Sequence, residues 1–246
     1  MEWRDEGFVL SVRAHGESSV ILELFTEAHG RHAGIVRGGA SRRLKPVLQP
    51  GAQVAVEWSA RLEAHLGAFR VEPIRSRAGL VMGDRLALEG LNAVAALVTA
   101  AFPERAPEPE FYALTTVLLD RAGGPDWARD YAFWEQELLQ VLGFGLDLRC
   151  CAATGAETDL IYVSPKSGRA VSRAGGKDWA DRLLPLPQFL LNDGAATLSD
   201  VVAALRLSGH FLLHQAAPAL GREGLPDARD RFLRVLDRKV RADAEI

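Results

Sequence analysis

Cysteine is almost missing from this chain: 246 residues contain two, adjacent at Cys150 and Cys151. Two thiols build no disulfide framework, and neighbouring residues make a strained bridge, so both are read as reduced thiols in a reducing compartment. Long apolar runs are missing too. No stretch approaches the roughly 18 apolar residues of a membrane span. The opening MEWRDEGFVL lacks the basic n-region and apolar stretch of a signal peptide. The expectation is a soluble, cytoplasmic protein with no membrane partner.

Enzyme motifs are equally scarce. Gly176-Lys177 lacks the leading glycine and the Ser/Thr of a phosphate loop, and Gly143-Phe144-Gly145 lacks its third glycine. There is no G-x-S-x-G and no HExxH. His210 and His214 stand four apart, a spacing that metals use on a helix, but no third ligand lies nearby in sequence. They are read as a packed or surface pair. The expectation is a binding protein without cofactor, metal or catalytic residue. Internal repeats and low-complexity tracts are also wanting.

What is present is an ordinary globular composition, 48% hydrophobic and 25% charged, enough for one large domain or two smaller ones. The net charge of -3 argues against a wholly basic coat for nucleic acid. The charge is uneven, however. Residues 1–78 carry 11 Lys and Arg against 9 Asp and Glu, whereas the remainder carries 18 against 23. A polyanion site, if there is one, belongs to the first third.

Within that third, Gly7 to Val12, Val20 to Phe25, Ala33 to Arg37, Gln53 to Ser59 and Leu66 to Val71 read as short strands, with Glu72-Pro73 closing the region. Five strands at this spacing suggest a small antiparallel barrel of the OB-fold kind, which carries oligonucleotides on one face and on its loops. Trp58 shares its phase with Val54 and Val56 and is read as core rather than as a base-stacking platform. Between the third and fourth strands lies VRGGASRRLKP, basic at Arg37, Arg42, Arg43 and Lys45, with paired glycines and no acid. Its alternatives are a solvated hairpin tip and an anion-facing loop.

Beyond Gly83 the period becomes helical. Leu86, Leu91, Val94, Leu97 and Val98 fit a helix ending before Pro103. Phe111, Leu114, Leu118 and Leu119 fit another opened by Pro107-Glu108-Pro109-Glu110, and a third runs from Asp126 to Gly143 with Tyr131, Trp134, Leu138 and Leu139 as packing. Residues 144–180 are irregular, with a hairpin around Leu160 to Val171. Leu183 to Leu191 is an apolar segment broken by Pro185 and Pro187, and Leu198 to Leu213 marks a helix or a pair. The last helix spans Asp227 to Val240. Phe232, Leu233, Leu236 and Val240 are assigned inward, while Arg229, Arg231, Arg234, Arg238, Lys239 and Arg241 are assigned to the other face. That cationic face is either solvated or a surface for DNA or an acidic partner.

The ordered set of motifs resembles the RecO family of bacterial recombination mediators. It comprises Gly7-Phe8-Val9-Leu10, Leu24-Phe25-Thr26, Val36-Arg37-Gly38-Gly39, Leu48-Gln49-Pro50-Gly51, LLQVLGFGLDLRCC from Leu138, Ser208-Gly209-His210-Phe211 and Leu225-Pro226-Asp227-Ala228-Arg229. The resemblance implies an α+β multidomain protein: an N-terminal five-stranded OB-fold barrel over residues 1–78, then a mainly helical body over 79–246. In many members that body carries a small zinc-finger-like insert, here 147–180. It implies a non-catalytic, nucleoid-associated mediator of DNA repair. Such a protein binds single- and double-stranded DNA and anneals complementary strands. With a RecR-type partner it helps load RecA onto strands covered by single-strand-binding protein. An adaptor whose barrel binds partners rather than DNA is the rival. On this resemblance Arg37, Arg42, Arg43 and Lys45, with Arg31 and His32 before them, are expected DNA contacts. Arg229, Arg231, Arg234 and Arg238 are expected to receive a partner such as the acidic tail of single-strand-binding protein. The zinc pattern is degenerate: Cys151-Ala152-Ala153-Thr154 keeps one thiol, and the second pair falls at Ser172 and Gly175. The hairpin is expected to persist without metal.

Overall fold

A computed structural model describes residues 1–244. Five strands, β1 (Glu2–His15), β2 (Ser19–Thr26), β3 (Gly30–Val36), β4 (Gln53–Ser59) and β5 (Ala68–Arg75), close into a barrel in the order β1-β2-β3-β5-β4. The closure depends on β1. Its first half pairs with β4 from Glu2 to Phe8 and its second half with β2 from Gly7 to His15. A bulge between Val9 and Ser11 bends the strand from one partner to the other, which is how a single strand turns a barrel corner. Residues from Gly7 to Leu10 are consequently buried in succession, an exception to the alternation that a half-covered strand shows.

Val9, Leu22, Leu24, Val54, Val56, Trp58 and Phe69 fill the barrel. Trp58 is 1% exposed, and its indole N–H donates to Leu66 O at 3.0 Å, so the ring is core, as its phase indicated. The chain passes directly over it at Gly67, where a Cβ would stand 2.4 Å from the indole nitrogen.

The fifth strand differs from the sequence reading. It starts at Ala68 and continues through Pro73 to Arg75. Proline is tolerated there because β3 reaches β5 only at Ile35–Ala68 and β4 bulges beside it, so the missing N–H falls on an open edge.

Four helices follow: α1 (Arg77–Leu80), α2 (Arg85–Ala101), α3 (Pro109–Asp120) and α4 (Trp127–Val141). Asp84 caps α2 by accepting from the amides of Leu86 and Ala87, and Phe102 turns extended before Pro103. Pro109 starts α3 at the position where a helix needs no N–H. The chain divides into two compact units, one of residues 1–124 with 226–232, the other of 125–225 with 233 onward. Strands give way to helices near residue 76, yet α2 and α3 belong to the barrel's unit. Tyr112 of α3 stacks on Phe8 at 5.7 Å, and Phe102 contacts Phe25 at 5.4 Å. Arg77 is 3% exposed and donates to Gly51 O, Gln53 Oε1 and Asp120 Oδ1, tying the barrel's exit to α3.

In the second unit, β6 (Leu160–Val163) and β7 (Ala170–Ser172) form the expected hairpin. A third strand, β8 (Leu184–Pro185), extends that sheet in the order β7-β6-β8, where the sequence suggests only a broken apolar segment. A short α5 (Phe189–Asn192) leads to α6 (Leu198–Phe211), which opens on a capping box between Thr197 and Asp200. α6 continues without a break through a π-turn (Leu212–Ala216) into α7 (Ala217–Ala219), and α8 (Asp227–Ala244) ends the described chain. Tyr131, Trp134, Leu138 and Leu139 are all within 1% of full burial, a packing stripe. Ser208 of α6 donates to the buried Glu135 of α4 at 2.5 Å. No helix among the described residues is long and apolar enough to cross a membrane.

Candidate nucleic-acid interface

The basic loop between β3 and β4 is built from the inside out. Gly38 turns the chain with φ of 70°. Gly39 then lies against β2 so closely that a Cβ would stand 2.4 Å from a Val20 methyl. The Ala40 amide donates to Ser18 O, docking the loop on the β1–β2 turn. From Ser41 a short helical turn follows, with Lys45 N–H donating to Ser41 O and Leu48 N–H to Leu44 O. The turn is amphipathic. Leu48 is 3% exposed, Leu44 and Val47 pack beside it on the barrel core, and Arg42, Arg43 and Lys45 face solvent. Arg37, where β3 gives way to the loop, is exposed as well. Among the described residues none of these four cations is ion-paired. A hydrogen-bonded turn anchored on the barrel therefore carries charge with no ion-pair partner among the described residues.

Two of the anticipated contacts do not belong there. Arg31 lies on β3 with its side chain 16% exposed, and its guanidinium donates to Glu23 Oε1 at 2.5 Å. Glu23 is itself buried and accepts from Ser11, and Glu104 stands at 4.0 Å, so carboxylates already neutralise Arg31. His32 is 4% exposed, inside the barrel, edge-on to Trp58 at 5.0 Å and to Trp3 at 5.1 Å. Burial, with smaller contributions from Arg105 and His29, pushes its pKa down to about 4. Both are corrected for the same reason: strand alternation turns one toward a neighbouring acid and the other inward.

The structure adds basic residues that sequence spacing did not single out, interspersed with the exposed Glu17 and Glu63. Arg13 and His15 lead into the β1–β2 turn on which Ala40 docks, and Arg61 and His65 lie in the β4–β5 loop. The Ile35 amide donates to Gly67 O, which brings that loop to the same pole. All four side chains are exposed. Arg70 joins Arg37 and Leu44 in lining a groove of about 550 Å³ beside the single β3–β5 pairing. Glu57 also lines it and pairs with Arg70 at 3.3 Å and Arg4 at 2.7 Å, so the groove itself is mixed in charge. Only the strand pairing reveals this convergence. A larger cavity of about 780 Å³ holds Asp5, Glu6, Glu27, Glu57 and Glu72 against Arg4 and Arg70. Its sign is wrong for phosphate.

On α8, Arg234 and Arg238 are exposed, whereas Arg231 pairs with Glu89 at 3.3 Å. Arg229 is corrected: it is 4% exposed. Its place three residues before Phe232 and seven before Leu236 sets it in the buried stripe rather than on the outer face. The rings of His210 and His214 lie 4.7 Å apart, one half-buried and one exposed.

The hairpin insert brings Cys151, Thr154, Ser172 and Gly175 together, the positions at which the family resemblance would place zinc ligands. They do not fit the ion. The donor set is one thiol, two hydroxyls and a hydrogen atom, against the four N/S ligands that structural zinc requires. A Cβ at Gly175 would stand 2.8 Å from Cys151 Sγ, leaving no room for a metal between them. Among the described residues no three His, Cys, Asp or Glu side chains are grouped to hold one. Burial resists ionisation of Cys151, but hydrogen bonds from the Ser172 side chain and amide, helped by Thr154, outweigh it and draw the thiol down to about 6.

Comparison with known proteins agrees with this architecture. Residues 1–77 match the family model described as Recombination protein O N terminal, and residues 82–222 match Recombination protein O C terminal. A protein of Ruegeria sp. (strain TM1040) named DNA repair protein RecO is 56% identical over 241 residues, 98% of this chain and all of that protein. Proteins of the same name from Cereibacter sphaeroides (strain ATCC 17029) and Dinoroseobacter shibae are 55% and 56% identical, each covering 97% of this chain and 99% of its own length. Matches of this extent, spanning barrel and helices alike, establish that the chain belongs to the RecO family.

Proposed function

We propose that this chain is a DNA-binding recombination mediator in DNA repair, with residues 1–78 as its nucleic-acid-binding domain. The observation that carries this reading is the anchored turn bearing Arg37, Arg42, Arg43 and Lys45 without a carboxylate partner among the described residues. The name that the relatives carry, DNA repair protein RecO, supports the biological role.

The mechanism is electrostatic. Cations at the loop pole neutralise phosphates and release counterions. Phosphate contacts position a strand without reading its bases, so sequence preference is weak. Two complementary strands held on one cationic surface repel each other less, which favours annealing. The exposed Arg234 and Arg238 of α8, with Arg231 beside them, suit the acidic tail of single-strand-binding protein. Recruitment there, together with a RecR-type partner, places the chain where RecA is to be loaded.

The test is binding of a short oligonucleotide titrated against salt. Affinity is expected to fall steeply as salt rises. In the Arg42→Ala/Arg43→Ala variant the slope of log affinity against log salt should shrink by up to about two units. An unchanged slope with unchanged affinity would remove the loop from the DNA site. Absence of saturable binding at low salt would favour the adaptor, whose barrel meets proteins instead.

A further inference from the structure

The insert in the second unit lacks the ligands for a metal, yet its four key positions still converge. The convergence has a centre. Cys151 Sγ, on a residue 1% exposed, accepts from the Ser172 amide at 3.2 Å and from the Ser172 hydroxyl at 3.3 Å. Ser172 Oγ in turn accepts from the Gly175 amide at 3.1 Å and lies 3.4 Å from Thr154 Oγ1. On the other side, Cys151 N–H donates to Ala156 O and Gly155 N–H donates to Cys151 O, closing a tight turn around the same residue.

We propose that the Cys151 sulfur replaces a metal as the organising centre of this knuckle, joined to the hairpin strand β7 through Ser172 and closed off by Gly175. The geometry divides the work among the residues. Cys151 supplies a soft acceptor at the core of the turn. Ser172 relays, donating its hydroxyl to sulfur while accepting from the next turn, so one side chain links positions 151 and 175. Thr154 occupies the neighbouring hydroxyl position. Gly175 must be glycine because any Cβ would crowd both Cys151 Sγ at 2.8 Å and Ser172 Oγ at 3.2 Å. The absent side chain at 175 is thus part of the arrangement: the hairpin closes onto sulfur where a longer ligand would hold an ion away from it. Buried polar groups left unsatisfied are costly, so loss of the relay loosens the whole knuckle.

The experiment uses the full-length protein. Metal analysis after purification, and melting with and without a strong chelator, come first. Zinc well below one equivalent is expected, with no change in melting temperature on chelation. Ser172→Ala is expected to lower the melting temperature by about 3–8 °C and to speed amide exchange in the segment 170–176. Thr154→Val, a milder change, should shift both in the same direction by less. One equivalent of zinc whose removal destabilises the protein would overturn the proposal. So would a Ser172→Ala variant that melts and exchanges like the parent. If Ser172→Ala cannot be obtained folded, Thr154→Val and the chelation result on the parent protein still decide.

Discussion

Single residues in this protein are governed by strand phase, and His32 shows the consequence most clearly. Read beside Arg31 it looks like part of a basic approach to the glycine pair. The burial of Gly30, His32, Gly34 and Val36 in alternation places it in the barrel with the aromatic rings instead. Inward phase was legible in the sequence, because Val36 is apolar and Gly34 and Gly30 are small. What was not legible is the size of the ring opposite, the Phe69 side chain that excludes a Cβ at Gly34. The phase has a pH consequence. His32 titrates near 4 in the folded chain and near 6.5 when unfolded. Between those values the unfolded state binds more protons, so stability is complete above pH 6.5 and is lost as pH falls toward 4. The loss attributable to this residue is on the order of 2 kcal/mol. Urea denaturation of the parent and of His32→Phe at pH 7 and pH 4.5 isolates it: the variant should lose less stability on acidification by about that amount. Equal losses would show that His32 is protonated in the fold. The thiols give a simpler contrast. Cys150 is half-buried and Cys151 is buried, so a water-soluble disulfide reagent should modify one thiol per native chain and two after denaturation.

At the scale of elements, the loop between β3 and β4 has separable parts. Leu44, Val47 and Leu48 attach it to the barrel, and Arg42, Arg43 and Lys45 are carried on the opposite side. Leu48→Ala removes a fully buried anchor and should destabilise the protein by about 2–4 kcal/mol. Arg42→Ala/Arg43→Ala removes exposed charge that has no ion pair among the described residues and should leave stability within about 0.5 kcal/mol while, on the proposed function, weakening oligonucleotide binding. Chemical denaturation paired with a binding titration checks both. A strongly destabilised double-arginine variant would mean that the charges brace the loop rather than face a ligand. The cations of this loop were readable as a run without acid, and its anchor as an i, i+3, i+4 apolar set. The remainder of the pole was not. Arg13, His15, Arg61 and His65 are scattered along the chain, and their loops are brought to one end of the barrel only because β2 pairs with β3 and β3 with β5. The two-residue β8 was equally hidden, since its strand identity comes from pairing with β6 and not from its own Leu-Pro sequence. Arg229 is the opposite case: the helical phase that buries it was present in the sequence, and its charge outweighed its position.

The molecule as a whole is weakly anionic, at -3, so its net charge offers a polyanion nothing. What matters is the range over which charge is felt. At physiological ionic strength the screening length is about 8 Å, so distant carboxylates do not cancel an exposed arginine cluster. The acidic cavity at Asp5, Glu6 and Glu72 and the cationic loop pole can therefore coexist on one small barrel. Charge substitution on the loop and on α8 asks whether the two cationic surfaces serve different ligands. Arg234→Glu/Arg238→Glu changes two exposed side chains that form no ion pair among the described residues, so the fold should persist. If α8 receives an acidic peptide, this variant should bind a short acidic peptide ending in an apolar residue at least about ten-fold more weakly, since each reversal replaces attraction with repulsion. If the proposed loop site alone holds the phosphates, its affinity for a short oligonucleotide should stay within about two-fold of the parent. The Arg42→Ala/Arg43→Ala variant should give the reverse pattern. Fluorescence anisotropy of both probes on both variants reads the four values. A parallel loss of both ligands in either variant would mean a single polyanion surface shared by DNA and peptide, and would end the assignment of two sites.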